Sequence, residues 1–157
     1  MTGSHTYAGP GTYSIVVTVI DDDGGTGATA AASVYVGSAA RTAATWATTT
    51  PWPIADSIVI GGVPYTRTAA IAVFGTGSNN RQSPFLFREL VAARLNQAAG
   101  ADASCVATTL ASADAWLAAN PPTSGVKKSS SAWTSQAKPW FEQLVAYNAG
   151  LLCAQAP

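Results

Sequence analysis

The sequence is poor in charged residues. Only 10% of its 157 positions are Asp, Glu, Lys or Arg, whereas about 25% is usual for a soluble domain. The eight basic and eight acidic residues give a formal net charge of zero. Because no net positive field is present, neither a nucleic acid nor an anionic membrane surface is expected as a partner.

Long apolar runs and a leader segment are also missing. No run of about 18 apolar residues occurs, so no helix is expected to span a membrane. Residues 1–5 read Met-Thr-Gly-Ser-His and supply neither the charged nor the apolar region of a signal peptide. We therefore expect no signal peptide in this chain.

Residues that carry catalysis are scarce. His5 is the single histidine, and no Gly-X-Ser-X-Gly turn accompanies it, so a nucleophilic triad is not expected. Glycosidase chemistry needs two carboxyl groups across a cleft, and surface or structural ion pairs are the alternative use of such residues. The candidate carboxylates are Asp56, Glu89, Asp102, Asp114 and Glu142. We predict a protein that is not an enzyme.

The two cysteines, Cys105 and Cys153, are an even number in a low-charge, Thr- and Ser-rich chain. This pattern favours a disulfide, with two buried free thiols as the alternative. Disulfides persist in oxidising compartments, which agrees with an extracellular or cell-surface location.

Three consecutive aspartates, Asp21, Asp22 and Asp23, precede Gly24 and Gly25. Carboxylates are the ligands that Ca²⁺ prefers, so this turn is a candidate for a weak Ca²⁺ site. The longer spacing of an EF-hand is absent, and a solvated turn is the alternative. No other cofactor is predicted, and one His with two separated Cys makes zinc improbable.

Five tryptophans are many for this length. Trp116 and Trp140 fall within predicted helices and are expected in the core. Trp46, Trp52 and Trp133 fall in predicted loops, where an exposed ring could stack on a sugar ring. Core packing is the alternative for these three, and a polysaccharide is the ligand that stacking would imply.

Residues 1–37 have the character of β-structure. Apolar residues alternate from Tyr13, and residues 21–25 form a turn before a second strand over residues 28–36, which predicts an antiparallel hairpin. An isolated hairpin is marginal in water, and its open edges attract partners. We expect it to pack on the rest of the chain, to pair with another molecule, or to stay loose. The predicted assembly face consists of Ile15, Val17, Val19, Val34 and Val36.

This segment resembles the C-terminal strands of a PKD (polycystic kidney disease) domain, which is an Ig-like sandwich. The resemblance rests on His-Thr-Tyr at residues 5–7, Pro-Gly-Thr-Tyr at 10–13, Val-Thr-Val at 17–19 and Asp-Asp-Asp-Gly-Gly-Thr-Gly at 21–27. The Trp-Asp-Phe-Gly-Asp-Gly type of stretch that precedes these strands in the family does not occur. The resemblance therefore implies part of such a sandwich, which other strands would complete.

Residues 38–50 are rich in Thr and Ala and are predicted to be a linker. Residues 51–157 predict a small domain of about four helices. A Gly-Gly hairpin at Gly61 and Gly62 comes first, and Thr66 is a candidate cap for the following helix. Ser83, followed by a proline, predicts a capped helix start. The predicted fold class is α+β.

The second half is similar to a helical module that ends secreted bacterial and archaeal surface proteins, behind PKD or other Ig-like repeats. The similarity rests on Ile-Gly-Gly-Val at residues 60–63, Glu-Leu-Val-Ala-Ala at 89–93, Ala-Asp-Ala-Trp-Leu at 113–117 and Gly-Leu-Leu-Cys at 150–153. The module's aromatic-Lys-X-His opening is absent, because Ala-Thr-Thr follows Trp46. No activity follows from this similarity.

Together these features predict a non-enzymatic structural or adhesion module of an extracellular, cell-surface or matrix protein. Strand complementation between copies, or with neighbouring surface-protein domains, would give dimers or fibres. The alternative is an accessory region of a secreted polymer-degrading enzyme that binds its substrate through the loop tryptophans.

Overall fold

The computed structural model describes residues 5–7, 11–16, 18–20, 22–28, 32–54 and 57–154. The fold is α+β, as predicted, and the chain divides into two compact units at residues 1–37 and 38–157. The division follows Gly37, where the β segment was predicted to end.

The first unit contains two short antiparallel ladders. Strand β1 (Gly11–Ile15) pairs with β4 (Ala32–Val36), and β2 (Thr18–Ile20) pairs with β3 (Thr26–Ala28). Ile15 is opposite Ala32, and Thr18 is opposite Ala28. Two residues (16–17) therefore lie between β1 and β2, whereas three residues (29–31) lie between β3 and β4. The predicted hairpin is present, but this one-residue mismatch divides it into two ladders with different registers.

The second unit is mainly helical. Its elements in chain order are α1 (Ala43–Thr48), β5 (Ser57–Ile60), β6 (Val63–Thr66), α2 (Arg67–Phe74), α3 (Ser83–Ala98), a 3₁₀ turn (Ser104–Val106), α4 (Ala107–Ala119), a π-helical segment (Ala132–Ala137) and α5 (Lys138–Asn148). The four α-helices predicted in residues 51–157 are present as α2–α5.

Helix α3 is the centre of this unit. It packs against α1, α2, α4, α5 and β5, and residues on every side of it are buried, including Leu86, Phe87, Leu90 and Val91. A helix that is buried all round needs a continuous shell of neighbours. The surrounding elements provide this shell, and their packing on α3 fixes where each of them lies.

Residues 38–50 were predicted to be a linker, and this prediction is wrong. They contain α1, whose Ala43 and Trp46 are buried, and they belong to the second unit. Thr42 caps α1, because its hydroxyl accepts a hydrogen bond from the Thr45 backbone N–H. The threonines that suggested a flexible segment thus begin a short helix.

The β5–β6 hairpin is confirmed. Gly61 and Gly62 have φ angles of 58° and 78°, as a two-residue turn with positive φ at both positions requires. Gly61 also lies directly against α4, because a Cβ atom built there would be 2.8 Å from the Ala118 backbone nitrogen. Asp114 of α4 holds the turn by accepting a 2.9 Å hydrogen bond from the Gly61 N–H.

The two predicted helix caps have different outcomes. The Thr66 hydroxyl accepts a hydrogen bond from Ala69 N–H at the start of α2, so this cap is confirmed. Ser83 was expected to cap α3 but is already the first residue of that helix, which has no side-chain cap. Its hydroxyl instead hydrogen-bonds the Ser124 hydroxyl at 2.9 Å, which joins the helix start to the loop after α4.

Candidate functional site

The β1–β4 ladder in the first unit is the candidate assembly surface. Within the residues that the structure describes, the ladder has two strands, so β4 has a neighbour along one edge. An edge that lacks a neighbour presents backbone N–H and C=O groups that a further strand can pair. The ladder is five residue pairs long, which is a common strand length in proteins.

The predicted assembly face is described in part. Ile15 is 38% exposed, and the adjacent Val16, which the sequence analysis did not include, is 61% exposed. Val34 is opposite Tyr13, Val36 is opposite Gly11, and Val19 is opposite Gly27. Val19 therefore belongs to the second ladder, whereas Val34 and Val36 belong to the first. Val17 lies outside the described residues.

The aspartate turn is described at two of its three positions. Asp22 and Asp23 are exposed in the turn between β2 and β3, and Asp21 lies outside the described residues. Where the chain is described, no three His, Cys, Asp or Glu residues are grouped as metal ligands. The Ca²⁺ site stays a prediction.

The three loop tryptophans do not form an exposed platform, so their assignment as ligand-stacking residues is corrected. Trp46, Trp52 and Trp133 are 2%, 7% and 3% exposed, which leaves almost no ring surface for a sugar. Trp52 Nε1 donates to the Trp46 carbonyl at 2.9 Å, and the Trp133 ring packs against Phe141 with centroids 5.7 Å apart. The polymer-binding alternative thereby loses the residues on which it was based.

A chain of buried polar side chains connects α1, α3 and α5. Asn96 Oδ1 accepts hydrogen bonds of 2.8 Å from both Trp46 Nε1 and the Arg41 backbone N–H. Asn96 Nδ2 donates to the Arg41 carbonyl and to Asn148 Oδ1. Asn148 Nδ2 donates to the backbone carbonyl and to Oε2 of Glu89, each at 3.0 Å. Both amide nitrogens thus donate two hydrogen bonds, and both amide oxygens accept at least one, which lowers the cost of burying them.

Asn96 and Asn148 were not assigned a role from the sequence. A signal exists in the spacing, because Glu89 and Asn96 are seven residues apart and therefore share a face of α3. They interrupt an apolar pattern that includes Leu86, Leu90 and Leu95. A polar residue at a core position indicates either a buried polar network or a functional group.

Two grooves flank α1. The first, of about 480 Å³, is lined by residues that include Arg41, Trp46, Pro51 and Trp52. The second, of about 490 Å³, is lined by alanines of α1 together with Phe74, Arg88, Glu89, Val145 and Asn148. Arg88 Nε donates a 2.9 Å hydrogen bond to Glu89 Oε1, so the carboxylate at the second groove already has a cationic partner.

Each candidate carboxylate that is described has a structural partner. Glu89 pairs with Arg88, Asp114 pairs with Arg94 at 3.2 Å, and Glu142 pairs with Lys138 one helical turn away. The Ser104 backbone N–H donates to the Asp102 carboxylate at 2.9 Å, and this hydrogen bond lowers the pKa of Asp102. These contacts agree with the structural alternative. Asp56 lies outside the described residues.

Cys105 and Cys153 form a disulfide, as favoured by the sequence. Their Cα atoms are 5.9 Å apart and 48 residues apart in sequence. The bond joins the 3₁₀ turn before α4 to the segment after α5. A cross-link that closes a loop of this length stabilises a fold mainly by restricting the unfolded chain.

Comparisons with protein-family models, with curated proteins and with solved structures found no match to this chain. In the part of the chain that is described, no helix has the length and apolar character needed to cross a bilayer.

Proposed function

We propose that this chain is a non-enzymatic structural or adhesion module of an extracellular, cell-surface or matrix protein, and that copies join through the strands of the first unit. The observation that carries the proposal is that, in the described part of the first unit, the β1–β4 ladder has two strands. A two-stranded ladder is marginal without further strands or a covering layer. Strand addition from a second copy would provide the missing neighbour.

Exposed apolar residues beside this ladder support the same proposal. Ile15 and Val16 are adjacent in sequence and are both exposed. Burial of apolar side chains against a second copy would add a hydrophobic contribution to the backbone hydrogen bonds of strand addition. The resemblance to the last strands of a PKD domain supports the proposal independently, since it implies a sandwich that other strands complete.

The extracellular location is supported by the Cys105–Cys153 disulfide. Structural disulfides are rare in cytosolic proteins because the cytosol keeps thiols reduced. The low proportion of charged residues (10%) is compatible with a protein that lies within an assembly.

Native mass, measured by light scattering on a sizing column at several protein concentrations, tests the assembly. We expect a dimer or a larger species that dissociates on dilution. Val16→Lys should weaken it, because a lysine there would have to be buried at the contact. Val63→Lys is the matched control, since Val63 is a similarly exposed valine (48%) in the hairpin of the second unit. A monomer at every concentration would overturn the proposed assembly. If the two variants weaken the assembly equally, the contact between copies does not lie at Val16.

A further inference from the structure

Two loops of the second unit lie side by side and carry three of the eight basic residues. The first loop is a tight turn in which Ser78 and Arg81 exchange two backbone hydrogen bonds of 3.0 Å. The second follows α4 and contains Lys127 and Lys128. Lys128 N–H donates to the Asn79 carbonyl at 2.8 Å, and Gln82 N–H donates to the Val126 carbonyl at 2.9 Å. These two bonds bracket Arg81 on one loop and Lys127 on the other.

Further contacts hold this double loop in place. The Arg81 guanidinium donates to the Pro122 carbonyl at 3.4 Å, and Gln82 Nε2 donates to the Ser78 carbonyl at 2.6 Å. The Ser83–Ser124 hydroxyl contact joins the base of both loops to α3. The three cations are thus presented on a backbone that is ordered before any ligand arrives, which reduces the entropy cost of binding.

The charge of this surface is unbalanced. Arg81, Lys127 and Lys128 are all exposed, and residues 75–82 and 120–131 contain no Asp or Glu. Among the described residues, the ion pairs use Arg88, Arg94 and Lys138, so these three cations are left for an external anion. The zero net charge of the whole chain conceals this local excess, because most of the other basic residues have partners within the second unit.

The chemistry around the cations distinguishes between anionic partners. The exposed residues of the two loops are otherwise Ser, Asn, Thr and Gly, together with Pro121, and none of the large exposed apolar residues belongs to either loop. Stable attachment to a lipid surface needs apolar or lipid insertion in addition to basic residues. Binding of single-stranded nucleic acid uses exposed aromatic rings for base stacking, and the two loops contain no aromatic residue. Amides and hydroxyls beside cations instead suit a hydrated polymer that carries both hydroxyl and acidic groups.

We propose that this surface, the Arg81–Lys128 patch (Asn79, Asn80, Arg81, Lys127 and Lys128), binds an acidic polysaccharide through its carboxylate or sulfate groups. The patch belongs to the second unit, so the proposal rests on the extracellular role proposed above but not on strand addition by the first unit. Three cations give weak binding at a single site. Repeated sites along a polymer, met by several copies of the chain, would raise the apparent affinity without new contacts.

Binding to polygalacturonate and to dextran sulfate at 50 mM NaCl, with neutral dextran as the control polymer, tests the proposal. We expect binding to at least one acidic polymer, with Kd rising about a hundredfold per tenfold increase in salt, as for three neutralised charges on a flexible polyanion. Lys128→Gln should weaken binding about threefold and Lys127→Gln/Lys128→Gln about tenfold, the range measured for exposed ion pairs. Lys138→Gln removes the same charge from a lysine that pairs with Glu142 and should leave Kd unchanged.

The other outcomes overturn the proposal. No binding to either acidic polymer, equal binding to neutral dextran, or equal loss in Lys128→Gln and Lys138→Gln would each exclude a specific patch. Binding only to phosphatidylglycerol vesicles would assign the patch to a membrane surface instead. Helical circular dichroism verifies that every variant is folded. The oligomeric state is measured separately. A monomeric chain that still binds the acidic polymer would therefore contradict the proposed strand addition and leave the proposed polysaccharide binding intact.

Discussion

Trp46 Nε1 donates a 2.8 Å hydrogen bond to Asn96 Oδ1 across 50 residues of sequence, and this bond fastens α1 to the central helix. The same oxygen accepts the Arg41 backbone N–H, and the amide nitrogen reaches Asn148 on α5. One fully buried side chain therefore holds three elements.

Asn96→Ala should destabilise the second unit by about 2–4 kcal/mol, because it leaves several buried polar groups unpaired. Asn120→Ala is the matched control. Asn120 makes one side-chain hydrogen bond, to the Trp116 carbonyl at 3.1 Å, and is half-buried, so we expect a loss below about 1 kcal/mol. Urea unfolding followed by helical circular dichroism measures both. Equal losses would contradict a special role of the buried network.

The structure of the second unit is predicted best from the sequence where it depends on residues that are close together in the chain. The Gly61-Gly62 turn, the Thr66 cap and helices α2–α5 all follow from local turn chemistry, capping and apolar spacing. The disulfide was favoured by composition and is present. These features need no knowledge of which distant residues meet.

Helix α1 and the positions of the loop tryptophans depend on distant residues instead. A six-residue helix of Ala, Thr and Trp is too short to be stable alone, and it forms against Asn96 and α3. Trp46 and Trp52 resemble ligand-binding residues in sequence because they lie among prolines and threonines. Trp46 is buried with a hydrogen bond to Asn96, 50 residues away, and Trp52 is buried with a hydrogen bond to the Trp46 carbonyl. A local pattern does not contain the contact with Asn96.

Gly61 and Gly62 offer a direct test of backbone crowding. Both have positive φ, which costs an L-residue about 1 kcal/mol or more. A Cβ at Gly61 would also lie 2.8 Å from Ala118 N and 2.9 Å from Leu117 C, whereas a Cβ at Gly62 meets nothing within 4 Å. Gly61→Ala should therefore destabilise by about 2–4 kcal/mol and Gly62→Ala by about 1 kcal/mol, as measured by thermal or urea unfolding. Similar losses at the two positions would show that the turn moves away from α4 at little cost.

Removal of the disulfide should lower stability without changing the helices. On the chain-entropy account, a cross-link between residues 48 apart contributes about 4 kcal/mol. Cys105→Ala/Cys153→Ala should lower the urea midpoint accordingly, and dithiothreitol should lower that of the unmodified chain by a similar amount. The double variant must be insensitive to dithiothreitol. If reduction leaves the midpoint of the unmodified chain unchanged, the cross-link does not stabilise this unit.

Asp102 is expected to contribute to the loss of folding stability at low pH. The Ser104 backbone N–H hydrogen-bonds the Asp102 carboxylate and lowers its pKa in the folded state. A lowered folded pKa means that the contribution to stability is present above the unfolded pKa and is lost as pH falls through the folded pKa. Asp102→Asn should therefore be less stable than the unmodified chain near neutral pH, with a difference that shrinks below about pH 4. Asp22→Asn, in the exposed β2–β3 turn, controls for the change in net charge, and a pH-independent difference for Asp102→Asn would contradict the assignment.

Two proline variants of β4 distinguish pairing with β1 from pairing with another copy. Successive backbone N–H groups of a strand point to opposite edges, so of Ser33 and Val34 one N–H points towards β1 and the other points away. Proline removes the N–H at its position. We expect one of Ser33→Pro and Val34→Pro to dissociate the assembly while the β1–β4 amide protons stay protected from hydrogen exchange, and the other to break the ladder itself. Light scattering gives the native mass of each variant. If both variants keep the native mass of the unmodified assembly, copies do not join along β4, and the proposed strand addition at this edge is wrong.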